Sequence, residues 1–291
     1  MIFIGNKKIV DLLGRSLQEG NVAQAYLFSG PEHVGKKTLA EVFALSLISG
    51  IDNLDFSLKN SGTCAMDLVL VEPEREEKKG IIKTRDISVE KVREAQELLA
   101  QYPYGGKKKV LIIEDAHRLT TGAQNALLKT MEEPNSSSVL ILVTHQPGRI
   151  LPTLHSRMRS VKFSLAGDDE IIVSETANLA MGRPGMAKLL GEDTELCEKM
   201  QEGEVFFRKI GNMNISDKLA YAEKIAKDTA GAVAVLQLWL WIAEKEINNS
   251  ADRSYVAIFN KKVGAISNCI EILEKTNANS RLAIEKMLLE L

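Results

Sequence analysis

Cysteine is scarce in this chain. Cys64, Cys197 and Cys269 are the three in 291 residues; they stand far apart, and no C-x-x-C pair exists. That spacing excludes a cysteine-built zinc module and reads as reduced thiols. The four histidines, His33, His117, His145 and His155, show no H-x-x-x-H spacing, so no metal site is expected. Charge of one sign is not in excess either. A formal net charge of −2 and an isoelectric point near 6.2 exclude a strongly basic nucleic-acid binder. Local clusters remain as candidate phosphate contacts, namely Lys107-Lys108-Lys109 with Lys78, Lys79 and Lys83 upstream, although such runs are usually solvated faces. The most apolar run, Ala230 to Ala243, is too short to cross a bilayer, is interrupted by Gln237, and reads as a buried helix. The N-terminus lacks the apolar stretch and cleavage site of a secretory signal, so a cytoplasmic protein is expected. There is no internal repeat and no low-complexity tail.

What is present is an alternation of short apolar strands with amphipathic segments. Strands are expected at Ala25–Ser29, Leu68–Glu72, Lys109–Glu114, Ser138–Thr144 and Ser160–Ser164. Between them, Ser88–Gln101 places Val89, Val92, Ala95, Leu98 and Leu99 near a 3.6-residue period, and Thr121–Glu133 does the same before Pro134 ends it. Such alternation argues a parallel sheet covered on both faces. Glu74–Lys79, of mixed charge, reads as a solvated loop. After about Leu165 the strands stop. Asp168–Gly191 reads as a small helical unit around Ile171, Ile172, Ala177 and Leu179, punctuated by Gly182-Arg183-Pro184-Gly185. From about Asp193 the chain is expected to be helical to its end, most strongly at Lys218–Asp228, Ala230–Asn248, Tyr255–Lys275 and Asn279–Leu291. The division is an α/β domain over 1–165, a small helical lid over 166–192, and a helical domain over 193–291.

The segment Gly30-Pro31-Glu32-His33-Val34-Gly35-Lys36-Lys37-Thr38 follows the first strand and opens a helix. In that context G-x-x-x-x-G-K is a phosphate loop: backbone N–H groups cradle phosphate oxygens and Lys36 reaches the terminal phosphates. The next residue should be Ser or Thr, whose hydroxyl binds Mg²⁺, but here it is Lys37. Thr38 comes one residue later, rotated by roughly 100° around the helix, and should not substitute. A second signature is Val110-Leu111-Ile112-Ile113-Glu114-Asp115, a buried strand ending in acids at the crevice where open α/β sheets bind ligands. A working ATPase has Asp then Glu at these places. Here the order is reversed, which shifts each carboxylate by one CH₂. Misplacements of about 1 Å can cost roughly 100-fold in rate. Metal-assisted hydrolysis is therefore expected to be poor.

Two further segments complete the set. Thr121 to Pro134 contains Asn125-Ala126-Leu127-Leu128-Lys129 and Glu132-Glu133-Pro134, and Leu151 to Arg159 contains Ser156-Arg157-Met158. An arginine between the fourth and fifth strands cannot easily reach its own phosphate loop, but could reach a neighbour's as an arginine finger. A solvated surface charge is the plainer reading of Arg157 taken alone.

In this order the residues resemble the clamp-loader branch of the AAA+ proteins, and within it the delta-prime type of bacterial DNA polymerase III. The resemblance covers nearly the whole chain, including Asn277 to Leu289 as a closing collar helix. It implies a RecA-like α/β AAA+ P-loop domain with a parallel sheet, a short helical lid, and an all-helical C-terminal collar that assembles subunits. It implies a component of the DNA polymerase III holoenzyme, a nucleotidyltransferase complex. The partners implied are motor (tau/gamma) and delta subunits in a hetero-pentamer, with the sliding clamp and primed DNA reached through the assembly. It also implies no hydrolysis by this chain, no required cofactor, at most weakly bound ATP or ADP, and Arg157 acting in trans. The degenerate nucleotide site comprises Gly30, Gly35, Lys36, Lys37, Thr38, Glu114, Asp115 and Thr144, the last at a sensor position. The chain departs from the family at Met158, where Cys is usual. It departs also at Ser49–Met66, which holds only Cys64 where many members carry a four-cysteine zinc module, so zinc is not carried over. Gly185 stands where the lid's sensor arginine belongs, with Arg183 two residues earlier. A DNA-stimulated ATPase motor is the alternative. A P-loop phosphotransferase would need an acceptor-binding constellation, and none is visible.

Overall fold

The three central strands of the first unit, Ala25–Ser29, Lys109–Ile113 and Ser138–Thr144, are buried at every position, because both faces of the sheet are covered there. Strands β1 (Ala25–Ser29), β2 (Leu68–Val71), β5 (Lys109–Ile113), β6 (Ser138–Thr144) and β7 (Arg159–Lys162) form one parallel sheet in the order β2-β5-β6-β1-β7. Alternate residues point to opposite faces. Tyr26, Phe28, Val110, Ile112, Val139, Ile141, Val143 and Val161 pack under α1 (Lys7–Gln18) and α2 (Lys36–Ser49). Leu27, Leu111, Ile113, Leu140 and Leu142 pack against α3 (Val89–Ala100) and α4 (Thr121–Glu132). The result is a three-layer α/β/α unit. The computed structural model describes residues 3–58, 66–78, 81–105, 107–133, 135–167, 170, 178–249, 253–275 and 278–291. Cys64, Lys79, Pro134, Asp168, Ile171, Ile172, Ala177 and Asn277, on which expectations above fell, lie outside those residues.

The expected strands form within a residue or two, and the caps explain the helix starts. Ser88 and Thr120 accept from the N–H groups of Lys91 and Ala123, each closing the first turn of its helix. Three details differ from the sequence reading. Glu74–Lys79 is not simply a loop: β3 (Arg75–Lys78) pairs antiparallel with β4 (Ile81–Thr84), which is possible because ladder hydrogen bonds use backbone and not side chains. Leu98 turns outward and is 45% exposed, while Leu99 takes the sheet side. Helix α1, not anticipated, is fastened by Asn6, whose side chain both donates to Ser164 O and accepts from Ser164 N at 2.9 Å.

The described residues cluster in two compact units: 1–172 with 182–185, and 173–181 with 186–291. The second is helical. It contains α6 (Pro184–Glu192, most of which belongs to it), α7 (Thr194–Lys209), α8 (Ile215–Ile225), α9 (Thr229–Asn249), α10 (Arg253–Lys275) and α11 (Ser280–Glu290). Asp193, Asn214 and Asn279 cap α7, α8 and α11 through side-chain oxygens. Helix α9 packs on α7 and α10, and α8 on α11. Trp239 of α9 is fully buried, donates from Nε1 to Gly203 O at 2.9 Å, and lies against Phe206 and Phe207. Among the described residues no helix is long and apolar enough to cross a membrane.

This aromatic centre generates a stability prediction. Trp239→Ala should cost the helical unit about 3–5 kcal/mol through the cavity it leaves. Trp239→Phe should cost less, losing the Gly203 hydrogen bond and part of the packing. Thermal and urea melts followed by circular dichroism check the order.

Candidate nucleotide and subunit site

The carboxyl edge of the sheet gathers the ends of β1, β2, β5 and β6. The phosphate loop leaves β1 at Gly30, whose φ of +144° suits glycine and whose position admits no side chain: an added Cβ would stand 2.4 Å from Phe163 O. Gly35 precedes α2 with φ +87°, and a Cβ there would meet Phe3. These two glycines let the loop lie tight on the sheet end. The first turn of α2 presents N–H groups without intrahelical acceptors toward this edge, the usual anion-binding geometry. Lys36, 8% exposed, curls back onto its own loop, donating to Gly30 O at 2.9 Å and also to Pro31 O. Burial pushes its ammonium down to about 8, opposed by Glu32 and Asp115.

Lys37 occupies the metal-ligand position and provides a cation of its own. Its Nζ pairs with Glu114 at the end of β5 (2.5 Å) and with Glu72 just after β2. Burial alone would lower the Lys37 pKa, but hydrogen bonds and attraction from Glu114 and Glu72 raise it. Burial and the neighbouring Glu72 hold the Glu114 carboxyl above its ordinary value, against the pull of Lys37. A tethered ammonium thus joins two strand-end carboxylates. Glu72 was not singled out from the sequence. Its signal is the one that marked Glu114, an apolar strand ending in an acid. Thr38, one residue further along α2, is half-buried.

On the other side of β5 the chain bends at Asp115, in the left-handed region (φ +47°), and turns His117 back over the sheet end. Thr144 is fully buried. Its hydroxyl accepts from Gln146 N at 3.0 Å and lies 3.5 Å from His117 Nδ1, so it sets the turn after β6. The segment Gly182–Gly185 belongs to this unit. Gly185 N donates to His33 O at 2.7 Å, which brings Arg183, half-buried, into the field of Glu32 beside the phosphate loop.

Arg157 lies elsewhere. It follows α5 (Pro152–His155) and precedes β7, whose first residue Arg159 pairs with Tyr26 near the start of β1. Ala25, Thr130, Ser138 and Arg159 line a recess with it. This is the amino edge of the sheet, separated from Lys36 by the length of β1, about 13–16 Å for five residues at ~3.3 Å each. The guanidinium is exposed, donating to Glu132 Oε1 at 3.2 Å and to Thr153 O at 3.1 Å. Met158, the departure from the family pattern, is buried in the core beneath α3 and α4, so it alters packing and not the guanidinium. Gln124 was not anticipated. It is buried in α4, donates to Leu119 O and Arg149 O, and accepts from Leu151 N, which fixes the start of the segment leading to Arg157. Of the basic cluster, Lys109 is buried in β5 and Lys108 donates to Ser136 O, so these two do not form an open patch.

The Lys37 arrangement has a pH signature. Lys37→Met leaves Glu72 and Glu114 adjacent without their cation. At about pH 7.5 the variant should lose ~1 kcal/mol, a modest figure because the pair is partly solvent-screened. A carboxyl whose folded-state pKa is raised contributes stability below its unfolded pKa and loses it as pH rises through the folded value. The Glu114 carboxyl should rise further in the variant, so its deficit should shrink as the pH is brought down to about 5. Urea melts of both proteins at the two pH values check this; an equal deficit at both would remove Glu114 as the cause.

A family profile described as "DNA polymerase III, delta subunit" matches residues 5–166. The "DNA polymerase III subunit delta'" of Pseudomonas aeruginosa is 36% identical over 142 residues, 46% of this chain and 41% of that protein. The subunit of the same name in Bacillus subtilis is 31% identical over 201 residues, 64% of this chain and 55% of that protein. The chain thus spans about half the length of these curated relatives. A crystal structure of a gamma subunit-related protein of DNA polymerase III from Thermotoga maritima superposes with a TM-score of 0.56 at 20% identity, covering 96% of this chain and 97% of that one, a likeness of fold. A profile that matches more than half of the residues, laid over the parallel sheet and its phosphate loop, makes the chain a member of the DNA polymerase III delta-subunit family, of delta-prime type.

Proposed function

We propose that this chain is a clamp-loader subunit that does not hydrolyse nucleotide itself and supplies Arg157 to a neighbouring motor subunit. The observation that carries the reading is the division of labour across the sheet. At the carboxyl edge Lys37 pairs with Glu72 and Glu114, the carboxylates a nucleotide-bound metal would draw upon. At the amino edge Arg157 is exposed, far from its own Lys36, and held by an acid and a carbonyl at the surface. A guanidinium there suits charge that develops on a neighbour's γ-phosphate. Phosphate loop and Lys36 remain suited to weak binding of ATP or ADP, without turnover. The proposed partners are tau/gamma and delta subunits in a hetero-pentamer, which would bring the sliding clamp and primed DNA to the assembly in the cytoplasm.

The same reading keeps the three-part division of the chain, 1–165, 166–192 and 193–291, with the last part as collar. Exposed apolar side chains in the helical unit, Val205, Ile215, Leu282 and Leu289, are suitable for contact with other subunits. A motor ATPase, the other reading of a phosphate loop, is disfavoured by the lysine in the metal position.

Two outcomes are expected. The isolated chain should show negligible steady-state ATP hydrolysis; turnover at a motor's rate that disappears with Lys36→Ala would overturn the non-hydrolysing assignment. Arg157→Ala should leave the assembly intact but slow single-turnover hydrolysis at the adjacent site, where fingers of this kind contribute roughly 10³–10⁵ in rate. Arg157→Lys should recover little, having lost the planar fork. Unchanged hydrolysis in an intact assembly would make Arg157 an ordinary surface arginine.

A further inference from the structure

At the crest of β5 and β6, beside the phosphate loop but on the opposite side of β5 from Lys37, three potential metal ligands converge. Asp115, His117 and His145 each place one ligand atom within 4.8 Å of the others. The imidazoles of His117 and His145 lie edge to face, 4.2 Å between centroids. His145 Nδ1 is 3.8 Å from Asp115 Oδ1 and 3.2 Å from Glu32 Oε1, which comes from the phosphate loop. His117 is buried and His145 largely so. We propose that Asp115, His117 and His145 form a binding site for one zinc-class divalent cation, with Glu32 beside His145 and water completing the shell, and that the cation fastens the ends of β5 and β6 to each other. This goes beyond the clamp-loader reading and does not depend on it.

The chemistry of the set selects the cation. Two imidazole nitrogens with one or two carboxylates suit zinc, cobalt or nickel, whereas magnesium and calcium prefer all-oxygen shells. In a tetrahedral zinc site with Zn–N near 2.0–2.1 Å, ligand atoms stand about 3.3–3.5 Å apart. His145 Nδ1 and Asp115 Oδ1, 3.8 Å apart, approach that, and the three ligand atoms lie within 4.8 Å of one another, so ligation draws the side chains inward by up to about 1.5 Å. Burial lowers both imidazoles, His117 to about 4, with each further lowered by nearby cationic groups, while Glu32 and Asp115 pull His145 the other way. The outer contacts are also suitable. Thr144 Oγ1 stands 3.5 Å from His117 Nδ1, leaving Nε2 to face the cation. Gln146 Nε2 is 3.1 Å from His145 Nε2, and rotation of that amide offers its oxygen to an Nε2–H when Nδ1 ligates. The reversed acid pair contributes directly: Glu114 turns to Lys37 and the β2 side, and Asp115 is left for the histidines on the β6 side.

The test uses the full chain stripped of metal with a chelator. Zn²⁺ is titrated against a chromophoric competitor, and Co²⁺ serves as an absorption probe of tetrahedral nitrogen–oxygen ligation. One equivalent should bind, raise the melting temperature, and resist competition by millimolar Mg²⁺. His117→Gln and His145→Gln should each weaken binding by more than about 100-fold, beyond the usual loss of an outer-shell partner. His155→Gln, at the amino edge of the sheet, should not change it. Circular dichroism in chelator reports folding; if the buried His117 variant fails to fold, the less buried His145 variant decides. Absence of a one-equivalent site, or binding indifferent to His145→Gln, overturns the proposal and leaves His145 as a hydrogen-bonded partner of Glu32.

Discussion

Strand β1 is the member on which the rest of the first unit is registered. It is hydrogen-bonded on both edges, to β6 and β7, and every residue in it is buried. Because alternate side chains enter two separate cores, β1 cannot slip by one residue without moving Tyr26 and Phe28 into the α3/α4 side and Leu27 out of it. That register sets where the phosphate loop begins and how close Gly30 comes to Phe163. It also fixes which ends of β5 and β6 stand beside the loop. The candidate site positions at the carboxyl edge are consequences of a packing constraint along the strand.

Within that frame one substitution of residue type changes the chemistry. A lysine at the second position of α2 carries its ammonium to the place between β2 and β5, and two glutamates meet it there. The pair is partly solvated, so its contribution to stability is modest. Its effect on the site is larger, since both strand-end glutamates are already engaged with an ammonium. The other acid of the strand end, Asp115, is directed away by its left-handed backbone and faces His145 instead. Two adjacent acids at one strand end thus serve opposite sides of the same strand.

The fold was largely legible in the sequence because its signals are local. Five apolar runs gave five strands within one or two residues, and Ser88 and Thr120 gave the starts of α3 and α4 through hydrogen bonds spanning three residues. Where the reading missed, the cause was non-local. The charged residues 75–78 form a strand because residues 81–84 lie alongside, and α1 is held by Asn6 against Ser164, 158 positions away. Leu98 and Leu99 differ in burial only because the sheet lies on one side of α3.

The sequence by itself determined the phosphate loop, the lysine in its metal position, the reversed acid pair and an arginine removed from its own loop, since each is a matter of residue type at a fixed spacing. Only the tertiary structure decided what those residues meet. Glu72 joins Lys37 because β2 lies next to β5, although the two residues are 35 positions apart. His117 and His145, whose spacing matches no metal motif, come together because β5 and β6 are paired neighbours whose following turns meet at the same edge of the sheet. Spacing along a chain records neighbours on one element, whereas a parallel sheet brings strand ends together from distant segments, and nothing in the local pattern of either segment encodes that meeting.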